Sequence, residues 1–192
     1  MVTEPQIEVQ AEPMTVADYE RLTADTDIRF ELIDGELIEM PAPSLFHQLL
    51  LAGYFSVLWN HVQERKLGWV MFAPVDVELT LHSALQPDLV FISRSNQGTM
   101  AGKRVVGAPD LVVEATSPES RVRDMVRKRN QYQHAEVKEY WLVDTKAQTH
   151  TTWALDGRHY VEVPANEDGT ARSIVLPDLT IDVDALFAAA ME

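Results

Sequence analysis

The sequence contains no cysteine. That excludes disulfides and any metal held by thiolate, and nothing points to an oxidising compartment. An N-terminal basic segment followed by an apolar core is also missing, and no apolar run approaches the roughly 20 residues needed to span a bilayer. The expectation is a soluble, cytoplasmic protein with no membrane partner. Basic residues are scarce: 16 Lys and Arg stand against 30 Asp and Glu, giving a net charge of −14. Phosphate binding normally relies on a basic surface, so this balance argues against a general nucleic-acid coat protein. The deficit is uneven. Residues 1–40 and 165–192 carry all of the net negative charge, and the middle of the chain is neutral. Within that middle, Arg121, Arg123, Arg127, Lys128 and Arg129 face only Asp124. The cluster reads equally as a local basic patch or as a solvated helix face.

With 192 residues, 46% of them apolar, the chain has material for one domain with a proper core. Residues 1–13 are polar, hold two prolines and show no periodicity, so they read as a flexible arm before a domain over 14–192. Thr15 and Asp18 resemble a capping box for a short helix. Asp34-Gly35 between two apolar runs predicts a type I′ hairpin over Phe30–Met40. Ser44 is placed to cap a long helix reaching about Leu67, with His47, Leu51, Tyr54, Leu58 and His61 on one stripe. Val70–Leu79 alternates as a half-buried strand, and Ser93–Gly107 reads as a surface loop. Glu139–Asp144 predicts another strand, Asp156-Gly157 a second hairpin, and Asp184–Met191 a closing helix. This order predicts an α/β fold in which helices flank a mixed sheet.

Two apolar runs each begin with Pro-Asp: Pro87-Asp88-Leu89-Val90-Phe91-Ile92, and Pro109-Asp110-Leu111-Val112-Val113-Glu114-Ala115-Thr116. Both have the β-branched character of central strands. A carboxylate inside such a run costs several kcal/mol to desolvate unless it is paired or binds a metal, so Asp88 and Glu114 stand out. Glu31 in the first hairpin is a third candidate, a solvent-facing strand position being its alternative. Asp110 lies four residues before Glu114, on the same face of a regular strand, and reads as a supporting or structural residue. After Glu114, Ser117, Pro118 and Ser120 mark a stop and restart, and Asp124, Lys128 and Tyr132 then recur at helical spacing. Lys128 either reaches the acids or forms a surface pair with Asp124. His47, in the first turn of its helix, either points into a site or packs. Carboxylates gathered without thiolate suit a hard cation such as Mg²⁺ or Mn²⁺. Such an ion serves phosphodiester hydrolysis, with a lysine beside it to hold the attacking water.

Pro87-Asp88 followed by Glu114-Ala115-Thr116 resembles the PD-(D/E)XK nuclease superfamily, with the lysine moved from strand to helix. Phe30-Glu31-Leu32-Ile33-Asp34-Gly35-Glu36, His47, Ala108–Glu114, Ser117-Pro118, Arg123-Asp124, Lys128, Tyr132 and Glu139–Asp144, in that order, resemble more closely the Uma-two family of restriction-endonuclease-like proteins, over about residues 14–188. The resemblance implies a restriction-endonuclease-like core with additional hairpins, a divalent metal (Mg²⁺ or Mn²⁺), DNA as partner and a homodimer. It places Glu31, Asp88 and Glu114, with Ala115, in the metal-facing set, Lys128 as the displaced lysine, and His47, Asp124 and Tyr132 in support. Thr116 stands where the superfamily usually has lysine, so catalysis would depend on Lys128. A DNA endonuclease is the leading expectation. The rivals are a noncatalytic homodimeric binding module that keeps the nuclease fold, and an RNA or nucleotide phosphodiesterase.

Overall fold

The computed structural model describes residues 12–116 and 123–191, with only the backbone of Arg123–Met125 in the last segment's first turn. The arm expected over 1–13 lies almost wholly outside the described residues. So do Ser117, Pro118, Ser120, Arg121 and the side chains of Arg123 and Asp124.

The capping signals hold. Helix α1 spans Val16–Thr23, and Thr15 and Asp18 satisfy each other's backbone N–H groups. Strands β1 (Phe30–Ile33) and β2 (Glu36–Glu39) pair antiparallel across Asp34 and Gly35, whose φ values of 54° and 77° are those a type I′ turn requires. Helix α2 (Leu45–Arg65) begins at Ser44, whose Oγ accepts the His47 N–H.

Past α2 the chain departs from expectation. The alternating run from Val70 to Leu79 is not one strand. Strand β3 (Gly68–Phe72) ends before the cis Ala73–Pro74 bond, and β4 (Val77–Thr80) joins a different sheet. A period of two continued across Pro74, which has no N–H to give a ladder, hid the break. Then come β5 (Ser83–Leu85) and β6 (Leu89–Ser93), so Asp88 sits just before its strand rather than inside it. The stretch read as a loop holds a 3₁₀ helix (Arg94–Thr99), β7 (Met100–Ala101) and β8 (Arg104–Val106). Strand β9 is Leu111–Thr116, which leaves Asp110 ahead of it. A π-helix (Arg123–Lys128) leads into α3 (Arg129–His134), where an unbroken α-helix was expected. The remaining elements are β10 (Glu139–Asp144), the hairpin β11 (Thr149–Asp156) and β12 (His159–Val163), the short pair β13 (Ala171–Arg172) and β14 (Thr180–Ile181), and α4 (Val183–Met191).

Among the described residues twelve strands form two six-stranded sheets rather than one, in the orders β12-β11-β10-β9-β6-β3 and β2-β1-β5-β4-β8-β7, and β13 pairs with β14 alone. In the first sheet β9 and β10 run parallel, and the crossover that parallel strands require carries the π-helix and α3. Every side chain of β9 is buried, so both faces of this sheet are covered. Leu111, Val113 and Ala115 pack with Leu50, Tyr54 and Leu58 of α2 and Phe187 of α4. Val112 turns the other way, toward Tyr132, Tyr140 and Ile33 of the second sheet. Val90 and Ile92 of β6 likewise meet Val77 and Val105. Gly68 fixes the edge: a Cβ there would strike the carbonyl oxygen of Ile92 on β6. Among the described residues no helix is long and apolar enough to cross a membrane.

Candidate functional site

Alternation along two strands builds the site. On β9, Glu114 falls on the face of Val112, the face covered by α3 and the second sheet. On β1, Leu32 packs toward α1 while Ile33 joins Tyr132, so Glu31, two residues before Ile33, also points into the space between the sheets. Lys128 and Tyr132 reach the same space from the crossover. All four are buried, at 0% exposure for Glu31, 3% for Glu114, 1% for Lys128 and 0% for Tyr132.

Lys128 Nζ lies 2.8 Å from Glu31 Oε1 and 2.9 Å from each carboxylate oxygen of Glu114. Tyr132 donates its hydroxyl to Glu114 Oε1 at 2.6 Å, and the Gln86 N–H donates to Glu31 Oε1 at 2.9 Å. Burial first, then the two carboxylates, push the Tyr132 phenol well above its ordinary range, so it stays a donor. Among the described residues, two carboxylates meet one ammonium in this cluster. Glu31 Oε2 is buried with no hydrogen-bond partner among the described residues.

Asp88 stands at the neighbouring strand end. Its Oδ1 is 3.2 Å from His47 Nε2, and its Oδ2 accepts the Ala115 N–H at 2.8 Å. The β6–β9 register stops at Leu89 against Val113, and Pro87, next in line to face Ala115, has no N–H to extend the ladder. An aspartate side chain takes over where the backbone pairing ends. The structure thus gathers Glu31, Glu114, Lys128 and Tyr132 in one contact network and places His47, Asp88 and Ala115 in a second, joined to the first by the Glu114–Ala115 peptide. Asp124's side chain lies outside the described residues.

Of the two readings of Lys128, the structure has the one that reaches the acids, with the side chain buried against Glu31 and Glu114. The basic patch is partly engaged by neighbouring side chains of the same chain. Arg127 pairs with Glu36 at 2.8 Å, and the Arg129 guanidinium lies 5.4 Å from the centre of the Trp153 ring. Asp110 is structural: Ser93 N–H, Asn96 and Lys138 all donate to it, which outweighs burial and holds its carboxyl below the usual range. Sequence reading missed Gln86, whose side chain donates to Asp76 and accepts from Arg29 while its N–H holds Glu31. The only signal was its place directly before Pro87-Asp88, since a backbone donor has no residue-type signature.

Among the described residues no three His, Asp or Glu side chains form a ready metal cluster. The donor chemistry nonetheless fits a hard cation: Glu31, Asp88 and Glu114 offer carboxylate oxygens, and Glu31 Oε2 is buried with no partner among the described residues.

The Uma2 family, described as putative restriction endonuclease, matches residues 16–184. The chain belongs to the Uma2 family. A crystal structure described as a putative nuclease belonging to DUF820, from Anabaena variabilis ATCC 29413, shares the fold with a TM-score of 0.76 at 17% identity, over 93% of this chain and 99% of that one. No curated protein matches the chain. The restriction-endonuclease-like α/β fold and a nuclease-like function at the level of the Uma2 family are therefore in hand, and Glu31, Asp88, Glu114, Lys128 and Tyr132 lie within the matched span.

Proposed function

We propose that this Uma2 chain is a cytoplasmic, divalent-metal-dependent endonuclease that hydrolyses DNA phosphodiester bonds as a homodimer. One observation carries the reading: a lysine buried between two glutamates, with an unpartnered carboxylate oxygen beside it, next to the Asp88 strand end. A fold does not accept that desolvation cost without return. Asp88, Glu114 and the Ala115 carbonyl, with Glu31, would hold Mg²⁺ or Mn²⁺. The ion would supply activation of water and neutralisation of the departing oxygen. Lys128 holds the attacking water through Nζ and offsets charge on the phosphorane-like transition state. Tyr132 orients Glu114 through Oε1, and His47 Nε2 holds Asp88. The dimer is proposed because one acidic subunit with a single local basic patch offers little grip on a duplex, and a two-fold pair doubles it.

The test is nicking of supercoiled plasmid DNA. Wild type should cleave with Mn²⁺ or Mg²⁺ and not in chelator, and Asp88→Asn and Glu114→Gln should each lose cleavage together with the metal-induced rise in melting temperature. Metal-independent thermal stability and uncut plasmid would remove the proposal. One observation favours the second reading, a noncatalytic DNA-binding dimer: the Lys128 ammonium is already engaged by both glutamates. In that case plasmid is bound but never cut.

A further inference from the structure

A cavity of about 250 Å³ opens between α2 and the β3–β6 end of the first sheet, and Asp88 forms part of its wall. Leu51 and Leu89 line it, Phe55 and Phe72 stand in its sides, and Arg29 and Gln48 supply the polar groups. The two rings meet edge to face, 5.3 Å apart, and Phe72 is 63% exposed, so most of its ring is open to solvent. Neither the packing of the core nor the acid cluster explains an aromatic ring left exposed beside a half-buried aspartate.

We propose that this cavity takes an unpaired DNA base next to the phosphodiester at Asp88, so that cleavage falls where nucleotides are unpaired, at a single-stranded extension or in a stretch that a supercoiled plasmid melts locally. The inference rests on the reading of Asp88 as part of the phosphodiester site. Four features point the same way. The volume is enough to admit a nucleobase. The walls are aromatic and apolar, which suits the π-face of any base, whereas a base inside a duplex is already stacked and cannot enter. Arg29 gives a positive charge for the attached phosphate, and Gln48 an amide for the base edge. Finally, a chain of net charge −14 is poorly served by phosphate attraction alone, and stacking gives affinity that does not depend on charge.

The test compares a blunt duplex with the same duplex carrying a single-stranded extension, by fluorescence anisotropy in Ca²⁺ and again in chelator, alongside cleavage in Mn²⁺. Wild type should bind the extended DNA about tenfold more tightly than the blunt one, a typical worth for one stacked base. Phe72→Ala should erase that preference and Phe72→Tyr should keep it; the exposure of Phe72 makes both variants compatible with folding. Equal affinity for the two DNAs, no binding to either, or an unchanged preference in Phe72→Ala overturns the inference. Loss of a dimer by light scattering in Phe72→Ala, with DNA preference intact, also overturns it and assigns this face to self-association. Equal binding with cleavage retained sinks the base pocket and leaves the nuclease. Selective binding without cleavage sinks the nuclease and leaves the pocket.

Discussion

Lys128 carries a charge into the interior, where its side chain is 1% exposed. An ammonium taken out of water costs several kcal/mol, and here Glu31 and Glu114 repay it at 2.8 and 2.9 Å. Removing the cation leaves two buried carboxylates facing each other. Lys128→Met should therefore lower unfolding free energy by about 3–5 kcal/mol, read by urea denaturation. Measured below the variant's melting temperature, DNA cleavage should fall on the order of 10² or more. A loss of stability with cleavage intact would make the residue structural only. Had Lys128 been an exposed helix pair, the stability loss would have been about 0.2–0.5 kcal/mol and cleavage would be unchanged.

At the scale of elements, the site depends on where chains end. Asp88 meets the Ala115 N–H because the β6–β9 ladder stops at Leu89, and His47 meets Asp88 because α2 starts three residues earlier, at Ser44. Ser44→Ala removes the acceptor for the His47 N–H and frees the first turn. The expected cost is about 1 kcal/mol in thermal or denaturant unfolding, and Ser44→Asp should recover it, because either side chain can accept that bond. An unchanged midpoint in Ser44→Ala would mean that packing of Phe46 and Leu50, rather than the cap, fixes the start of α2. Legibility was best for such local devices. The capping box at Thr15, the Asp34-Gly35 turn and the Ser44 cap act within four residues, so the sequence carries their whole geometry.

Across the whole molecule, stability is tied to pH through groups far from the acids. His150 stacks on Tyr54, with its two ring nitrogens engaged by the Tyr54 hydroxyl and Thr152. Burial lowers its pKa to about 4. The unfolded chain therefore binds a proton near pH 6.5 that the folded chain refuses until about pH 4. This contribution is fully present above the unfolded pKa and is lost as pH falls through that window. Some solvent reaches the residue, which trims the effect to about 1–3 kcal/mol. Glu139 has the opposite sign: burial raises its carboxyl despite donors from Trp141, Ser173, Ile174 and Val175, so its share declines as pH rises. Denaturation at pH 7.5 and 4.5 should show a larger acid loss for wild type than for His150→Gln. Equal losses would show that His150 is not the group responsible.

The sequence by itself determined the fold class, the hairpins, the caps and the short set of acids to watch, because alternation, turn residues and capping pairs act over a few residues. It also marked Asp88 and Glu114, since a carboxylate in an apolar run needs a reason wherever the run ends up. Tertiary structure alone decided the rest. Whether Glu31 faced water or the interior depended on β1 belonging to a second sheet that packs against the first sheet and its crossover, a contact between segments far apart in the chain. Whether Lys128 lay at the surface or between acids depended on a parallel crossover packing over β9. The Gln86 N–H could not be foreseen either, because every residue but proline carries that donor and only the path of the backbone aims it at Glu31.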